Sequence, residues 1–293
     1  MSPAEQSHKS PFRISLGWLM RNKLAVVCAA VVAVFAAACI GGPWLLEADY
    51  EEPSYAEMYN GPSAGHWFGT DSLGRDLLVR CLIGGRISLA VGLVGTVVSV
   101  VIGVAYGAVS GYLGGRTDGL MMRFVDVLYG LPFLLFVVLI MAALGRDITP
   151  AQRIVAMFVA LGAVQWLTMA RIVRGEVVAL KEKEFVEAAR ATGAGWVRIV
   201  ARHIVPNLAG VVIVYATLTV PAIMLQEAFL SFLGLGVQQP MPSWGSLIRD
   251  GAAAMESYPR LVIFPGAMFT VVLFALNFIG DGLRDAFDPQ MRV

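Results

Sequence analysis

Glu187, Ala188 and Ala189, followed by Gly193 and later by Pro206, form the most informative cluster in the sequence. These residue types suit docking rather than bond-making. Phe185, Val186, Ala188 and Ala189 are apolar or small, and Lys181, Glu184, Glu187 and Arg190 are charged. On a helix Phe185 and Ala189 share a face, and Lys183 and Glu187 are spaced for an i,i+4 contact. Gly193 and Gly195 allow the chain to reverse, and Pro206 marks the entry to the next apolar stretch. Two adjacent alanines let a short helix sit deep in a groove, and the glutamate beside them adds a directional charge.

Residues able to do covalent or metal chemistry are sparse. The sequence has no phosphate-cradling GxxxxGKS/T, no HExxH and no GxSxG; Gly107 to Gly111 has the wrong spacing for the last. Cys28, Cys39 and Cys81 lack metal-ligand spacing, and His8, His66 and His203 are scattered. Asp126, Glu227 and Asp281 are acidic residues within or at the ends of apolar stretches, each near an interface. Neither a catalytic site nor a cofactor or metal site is expected in this chain.

The elements that must position the polar run are membrane spans. Of 293 residues 57% are hydrophobic and 15% charged, whereas soluble domains carry roughly 25% charged residues. Six spans are predicted: Leu24–Leu46, Ser88–Ser110, Phe124–Leu144, Ile154–Val173, Asn207–Phe229 and Leu261–Leu283. The class is an all-α polytopic membrane protein. Gly103, Gly107 and Gly111 make small-xxx-small steps that favour close helix approach. Pro132, Pro221 and Pro265 fall within spans and predict kinks. Arg13–Lys23 mixes Trp18 and Leu19 with basic residues, as in an interfacial helix.

With both termini inside, about 15 of the 22 basic residues face the cytoplasm, against about 7 in the opposite orientation. The Lys181–Pro206 loop is then cytoplasmic. Outside lie Glu47–Arg86 and Leu230–Arg260. The Gly and Pro content of the second excludes a regular helix throughout, so it belongs at the outer surface or along a wet cavity.

Glu187, Ala188, Ala189, Gly193 and Pro206 together resemble the coupling-loop signature of permease subunits in bacterial ABC importers, with His203 and Val205 departing from the usual isoleucine and leucine. Phe68 to Arg80, Gly84 to Leu89, Leu230 to Gly236, Pro242 to Gly245 and Phe278 to Pro289 are similar to the peptide and nickel branch of that family. Gly84 to Ser88, Met169 to Gly175 and Arg202 to Asn207 most resemble its oligopeptide-permease C subunits.

The resemblance implies a type I ABC importer permease fold with six transmembrane helices. It implies a cytoplasmic segment with an interfacial helix (1–23), a first helix (24–46), an extracytoplasmic segment (47–85), a core (86–284) with coupling loop 174–206, and a cytoplasmic tail (285–293). A homologous B-type permease would complete the pathway. Two cytoplasmic ATPases, D- and F-type or one fused chain, would bind ATP and Mg, and an extracytoplasmic peptide-binding protein would deliver cargo. The implied home is the bacterial inner membrane, with no nucleic-acid partner expected. Glu187, Ala188, Ala189, Gly193 and Pro206 would couple to an ATPase. Thr70, Asp71, Arg75, Asp76, Trp244 and Gly245 would help dock the binding protein. Oligopeptides are the implied cargo, with dipeptides, glutathione or nickel as alternatives. An ion-coupled carrier using Asp126 and Glu227, and an intramembrane enzyme, are the competing readings.

Overall fold

Among the described residues five helices are long and apolar enough to cross a bilayer, and six spans result if one sharply bent pair counts as a single span. The computed structural model describes residues 17–46, 51–143 and 149–287. Among these residues there is no β-strand, only an isolated antiparallel bridge between Thr70 and Asp76.

Helix α1 (Lys23–Leu45) starts where the Asn22 side chain accepts from Ala25 N–H. Of the predicted interfacial helix, residues 17–19 are helical and 13–16 lie outside the described residues, as do the 1–16 and 288–293 ends of the predicted termini. Helix α2 runs from Leu77 to Leu113, eleven residues earlier than the predicted start at Ser88. At 1.5 Å per residue it is about 56 Å long, against a hydrocarbon core of roughly 30 Å. Tilt rarely exceeds roughly 40° and does not absorb that excess, so part of α2 stands outside the apolar layer.

The third predicted span is two helices, α3 (Gly115–Tyr129) and α4 (Phe133–Ala143), meeting at 91°. Gly130–Pro132 causes the break: Leu131 N–H turns back to Leu128 carbonyl, and Pro132 has no N–H to continue the ladder. Helix α5 (Pro150–Leu180) opens on a capping box between Thr149 and Gln152 and runs seven residues past the predicted end at Val173. Residues 174–180 of the predicted loop are therefore helical.

Helix α6 is Glu184–Ala191 and α7 is Trp196–Ile199; α7 continues through a π turn, Val200–Ile204, and one more turn, Val205–Asn207. Then follow α8 (Ala209–Phe232), α9 (Trp244–Ala252) and α10 (Arg260–Phe287). Pro221 and Pro265 sit inside the unbroken helices α8 and α10.

The α2–α5 pair is the most extensive helix contact. Its closeness follows from glycine: a Cβ on Gly107 would lie 2.4 Å from the Ala170 carbonyl oxygen, and one on Gly111 2.8 Å from that of Arg174. Small residues at this spacing let the backbones meet, where lipid offers no hydrophobic driving force between helices. Helix α8 lies against α2 and α10, α1 packs on α10 and α2, and α9 is tucked between α8 and α10.

Candidate functional site

Two apolar residues anchor α6. Val186 and Ala189 are buried among Val177 of α5, Ile199, Val200 and Ile204. The buried stripe is thus Val186–Ala189 rather than Phe185–Ala189. With Val186 held inside, Glu184, Glu187, Ala188 and Ala191 fall on the exposed side. The two alanines divide the work: Ala189 fixes the helix to the bundle, and Ala188 keeps the outer face flat. Phe185 and, just beyond, Trp196 and Val197 remain 37%, 46% and 58% exposed. A small acidic face with an apolar rim is left uncovered by the described residues.

Both ends of α6 are closed by local chemistry. Lys183 stands at the N-cap position, and its carbonyl accepts from Val186 N–H at 2.9 Å. At the other end Gly193 N–H bonds to Arg190 carbonyl at 2.9 Å and Ala194 N–H to Ala189 carbonyl at 3.1 Å, a Schellman arrangement. Gly193 has φ +79°, which residues with a side chain rarely adopt. A Cβ there would meet no atom within 4 Å, so the space beside it is open. Pro206 is exposed and follows the π turn. Its missing N–H comes where the wider turn already pairs Val205 N–H with Val200 carbonyl.

Polar contacts that the sequence did not flag tie α6 to the bundle. The Arg190 guanidinium lies 5.4 Å from the Tyr112 ring centroid, and its Nε donates to the Tyr112 hydroxyl at 3.4 Å. That hydrogen bond raises the Arg190 pKa further above its ordinary value. Asp118 of α3 accepts from Ser110 Oγ at 2.7 Å and from Arg174 Nε at 3.0 Å. Lys181 Nζ donates to the Gly111 carbonyl at 3.3 Å. The ends of α2, α3 and α5 nearest α6 are thus pinned together.

Thr70, Asp71, Arg75 and Asp76 are buried within the chain, as are Trp244 and Gly245. Asp71 accepts from Arg75 Nε at 2.8 Å and lies 3.3 Å from Arg80 Nη1. Asp76 caps α2 through Val79 N–H at 2.9 Å and pairs with His66 Nδ1 at 2.8 Å. Gly74 takes φ +78° where a Cβ would strike the Ser54 carbonyl. Trp244 is fully buried, donates Nε1–H to the Cys81 carbonyl at 3.0 Å and packs on Gly85. These side chains hold the segments in shape. Their neighbours Tyr55 and Trp67 are exposed.

Asp126 and Glu227 have separate surroundings. Asp126 is exposed and pairs with Arg171 at 2.7 Å, whereas Glu227 is fully buried and accepts from Ser88 Oγ at 3.1 Å and Ser231 Oγ at 2.7 Å. Each already has partners, which weighs against a shared ion site. Among the described residues no group of three or more His, Cys, Asp or Glu side chains is placed to hold a metal ion.

A family model described as "binding-protein-dependent transport system inner membrane component" matches residues 72–293, and one for the "N-terminal TM domain of oligopeptide transport permease C" matches residues 10–62. The chain is 52% identical to the oligopeptide transport system permease protein OppC of Escherichia coli, over 93% of this chain and 89% of that one. It is 51% identical to the OppC of Haemophilus influenzae, over 93% and 86% respectively. Among solved structures, a chain of the MetNI methionine ABC transporter in an inward-facing conformation has a TM-score of 0.57 at 21% identity, covering 72% of this chain and 96% of its own, which is a likeness of fold. The chain belongs to the family of binding-protein-dependent transport system inner membrane components, with the fold of a type I ABC importer permease.

Proposed function

We propose that this chain is one of two permease subunits in an ATP-driven importer of oligopeptides in the bacterial inner membrane. The single observation that carries the coupling role is α6: anchored by Val186 and Ala189, stopped at Gly193, and presenting Glu184, Glu187 and Ala188 outward within an apolar rim. A helix packed on one side and exposed on the other suits force transfer from a soluble ATPase. The bias of basic residues supports placing this end, and both termini, in the cytoplasm. ATP and Mg belong to the two ATPase subunits, D- and F-type or fused, and this chain performs no catalysis. A homologous B-type subunit forms the other half of the pathway, and a peptide-binding protein delivers cargo to the face bearing Tyr55 and Trp67. The OppC relatives support oligopeptides over dipeptides, glutathione or nickel.

Gly193→Asp tests this reading. The new side chain enters open space in this chain, so its internal cost is the strain of a positive φ. The variant should insert and co-purify with its partner permease yet lose ATP-driven peptide uptake. Undiminished uptake would refute the coupling role. Gradient-driven flux through the chain reconstituted alone would favour a secondary carrier instead.

A further inference from the structure

A cavity of about 220 Å³ opens where α3, α4, α5 and α8 meet, beside the break at Gly130–Pro132. Gln165 and Thr168 lie near the middle of α5, a helix long and apolar enough to cross a bilayer. Its polar lining comes from Tyr129, Gln165, Thr168 and Gln226, and no charged side chain lines it. The Gln226 Oε1 atom is buried and has no hydrogen-bond partner. A buried amide acceptor left without a partner is costly. Tyr129 Oη and Thr168 Oγ1 stand 3.5 Å apart, so one hydroxyl is free to turn toward a guest. Outside the cavity, Arg171 lies 4.2 Å from the Tyr129 ring centroid and is neutralised by Asp126.

The chemistry this offers is amide and hydroxyl, without charge. A peptide main chain matches it: with the Gln226 amide turned into the cavity an N–H satisfies its Oε1, and carbonyls accept from the hydroxyls and from Gln165. Such contacts read no side chain, which suits a conduit for varied sequences. The volume falls below the roughly 300–1,000 Å³ of sites that enclose a small molecule, so it fits a segment of a longer chain. A bare metal cation finds no carboxylate, thiolate or imidazole in the lining. We propose that this cavity is a station within the membrane where Gln226, Gln165, Thr168 and Tyr129 hold the backbone of a peptide in transit. The proposal rests on the peptide-import reading and deepens it.

Cysteine scanning of the assembled importer, reconstituted with its binding protein and ATPases, tests the station. The native cysteines are all buried. Gln226→Cys and Thr168→Cys, on two different helices, are exposed to a bromoacetyl peptide during ATP turnover; the thiolate displaces bromide and leaves a thioether seen by mass. Leu225→Cys, on the exposed side of α8, serves as control. Adducts should form at 226 and 168 and not at 225. A backbone N-methylated peptide should protect roughly three- to tenfold less well than its parent, the worth of one hydrogen bond. No adduct in an importer that still takes up peptide, or equal protection by the methylated peptide, overturns the station alone. So does crosslinking of Gln226→Cys to the partner permease by a short bismaleimide, which would show a neighbour filling the space. Failure of the unmodified importer to take up peptide under ATP would overturn the import reading itself.

Discussion

Neighbouring alanines on α6 should respond to substitution in opposite ways. Ala189 is 7% exposed and packs against Val186, Ile199 and Ile204, whereas Ala188 is exposed. Ala189→Leu forces three more carbon atoms into a filled space, which costs typically 1–3 kcal/mol. For chains above 150 residues that is a fall of roughly 2–4 °C in thermal midpoint per kcal/mol. Ala188→Glu touches nothing inside the chain, so its effect on stability should stay within roughly 0.5 kcal/mol. On the face proposed to dock an ATPase, however, the extra carboxylate enlarges a small side chain and adds a third negative charge beside Glu184 and Glu187. The assays are the thermal midpoint of the purified permease pair, retention of the ATPases on that pair, and ATP-driven peptide uptake. Ala188→Glu should keep its midpoint and lose ATPase retention and uptake; Ala189→Leu should lower the midpoint. Normal uptake by Ala188→Glu, or an unchanged midpoint for Ala189→Leu, would refute this division of the helix.

Asp71→Asn should destabilise the chain by about 3–5 kcal/mol, because it leaves the buried guanidiniums of Arg75 and Arg80 without their countercharge; protease sensitivity of the 51–76 segment and loss of folded yield measure it. Trp244→Phe should cost about 0.5–1.5 kcal/mol by removing the indole hydrogen bond to the Cys81 carbonyl, and Trp244→Ala about 3–5 kcal/mol by also emptying the space between α1, α2 and α10, both read from thermal midpoints. Glu227→Ala deprives the Ser88 and Ser231 hydroxyls of their acceptor in a buried site. It should loosen the 231–246 segment against α2, seen as faster amide exchange there with α6 unaffected.

Much of the architecture was legible because lipid imposes a simple rule: long apolar runs become helices. The fifth and sixth predicted spans agree with α8 and α10 to within about four residues. Departures have local causes. Arg80 and Arg86 interrupt the apolar run before Ser88, which hid the first eleven residues of α2; in the folded chain Arg80 is buried beside Asp71, and Arg86 donates to the carbonyls of Cys39 and Ile40. Pro132 signalled a bend in the third span, but an unbroken apolar string does not encode 91°. On α6 the turn at Gly193 was readable because only a positive φ ends the helix there. The inward face was not, since Phe185 and Val186 are equally plausible and Ile199 and Ile204, more than ten residues on, decide between them. The family resemblance offered Thr70 to Asp76 as a surface for a partner, yet these side chains are buried on partners within the chain: Thr70 on Glu57 and Asn60, Asp71 on Arg75, and Asp76 on His66. The Glu227 cluster gave one local hint, Ser231 four residues on; Ser88 lies 139 residues away and leaves no trace in the spacing.

Proximity trapping between α6 and an ATPase subunit tests the central claim most directly. In membranes containing the whole importer, Glu187→Cys should crosslink to an ATPase through a short bismaleimide, and Val186→Cys, buried in the bundle, should not. The account predicts that the Glu187 crosslink halts ATP-driven peptide uptake and that cleaving a reducible version of it restores transport. Peptide accumulation at the normal rate, with Glu187→Cys reacting only with reagent from outside the cell and never with an ATPase, would contradict it.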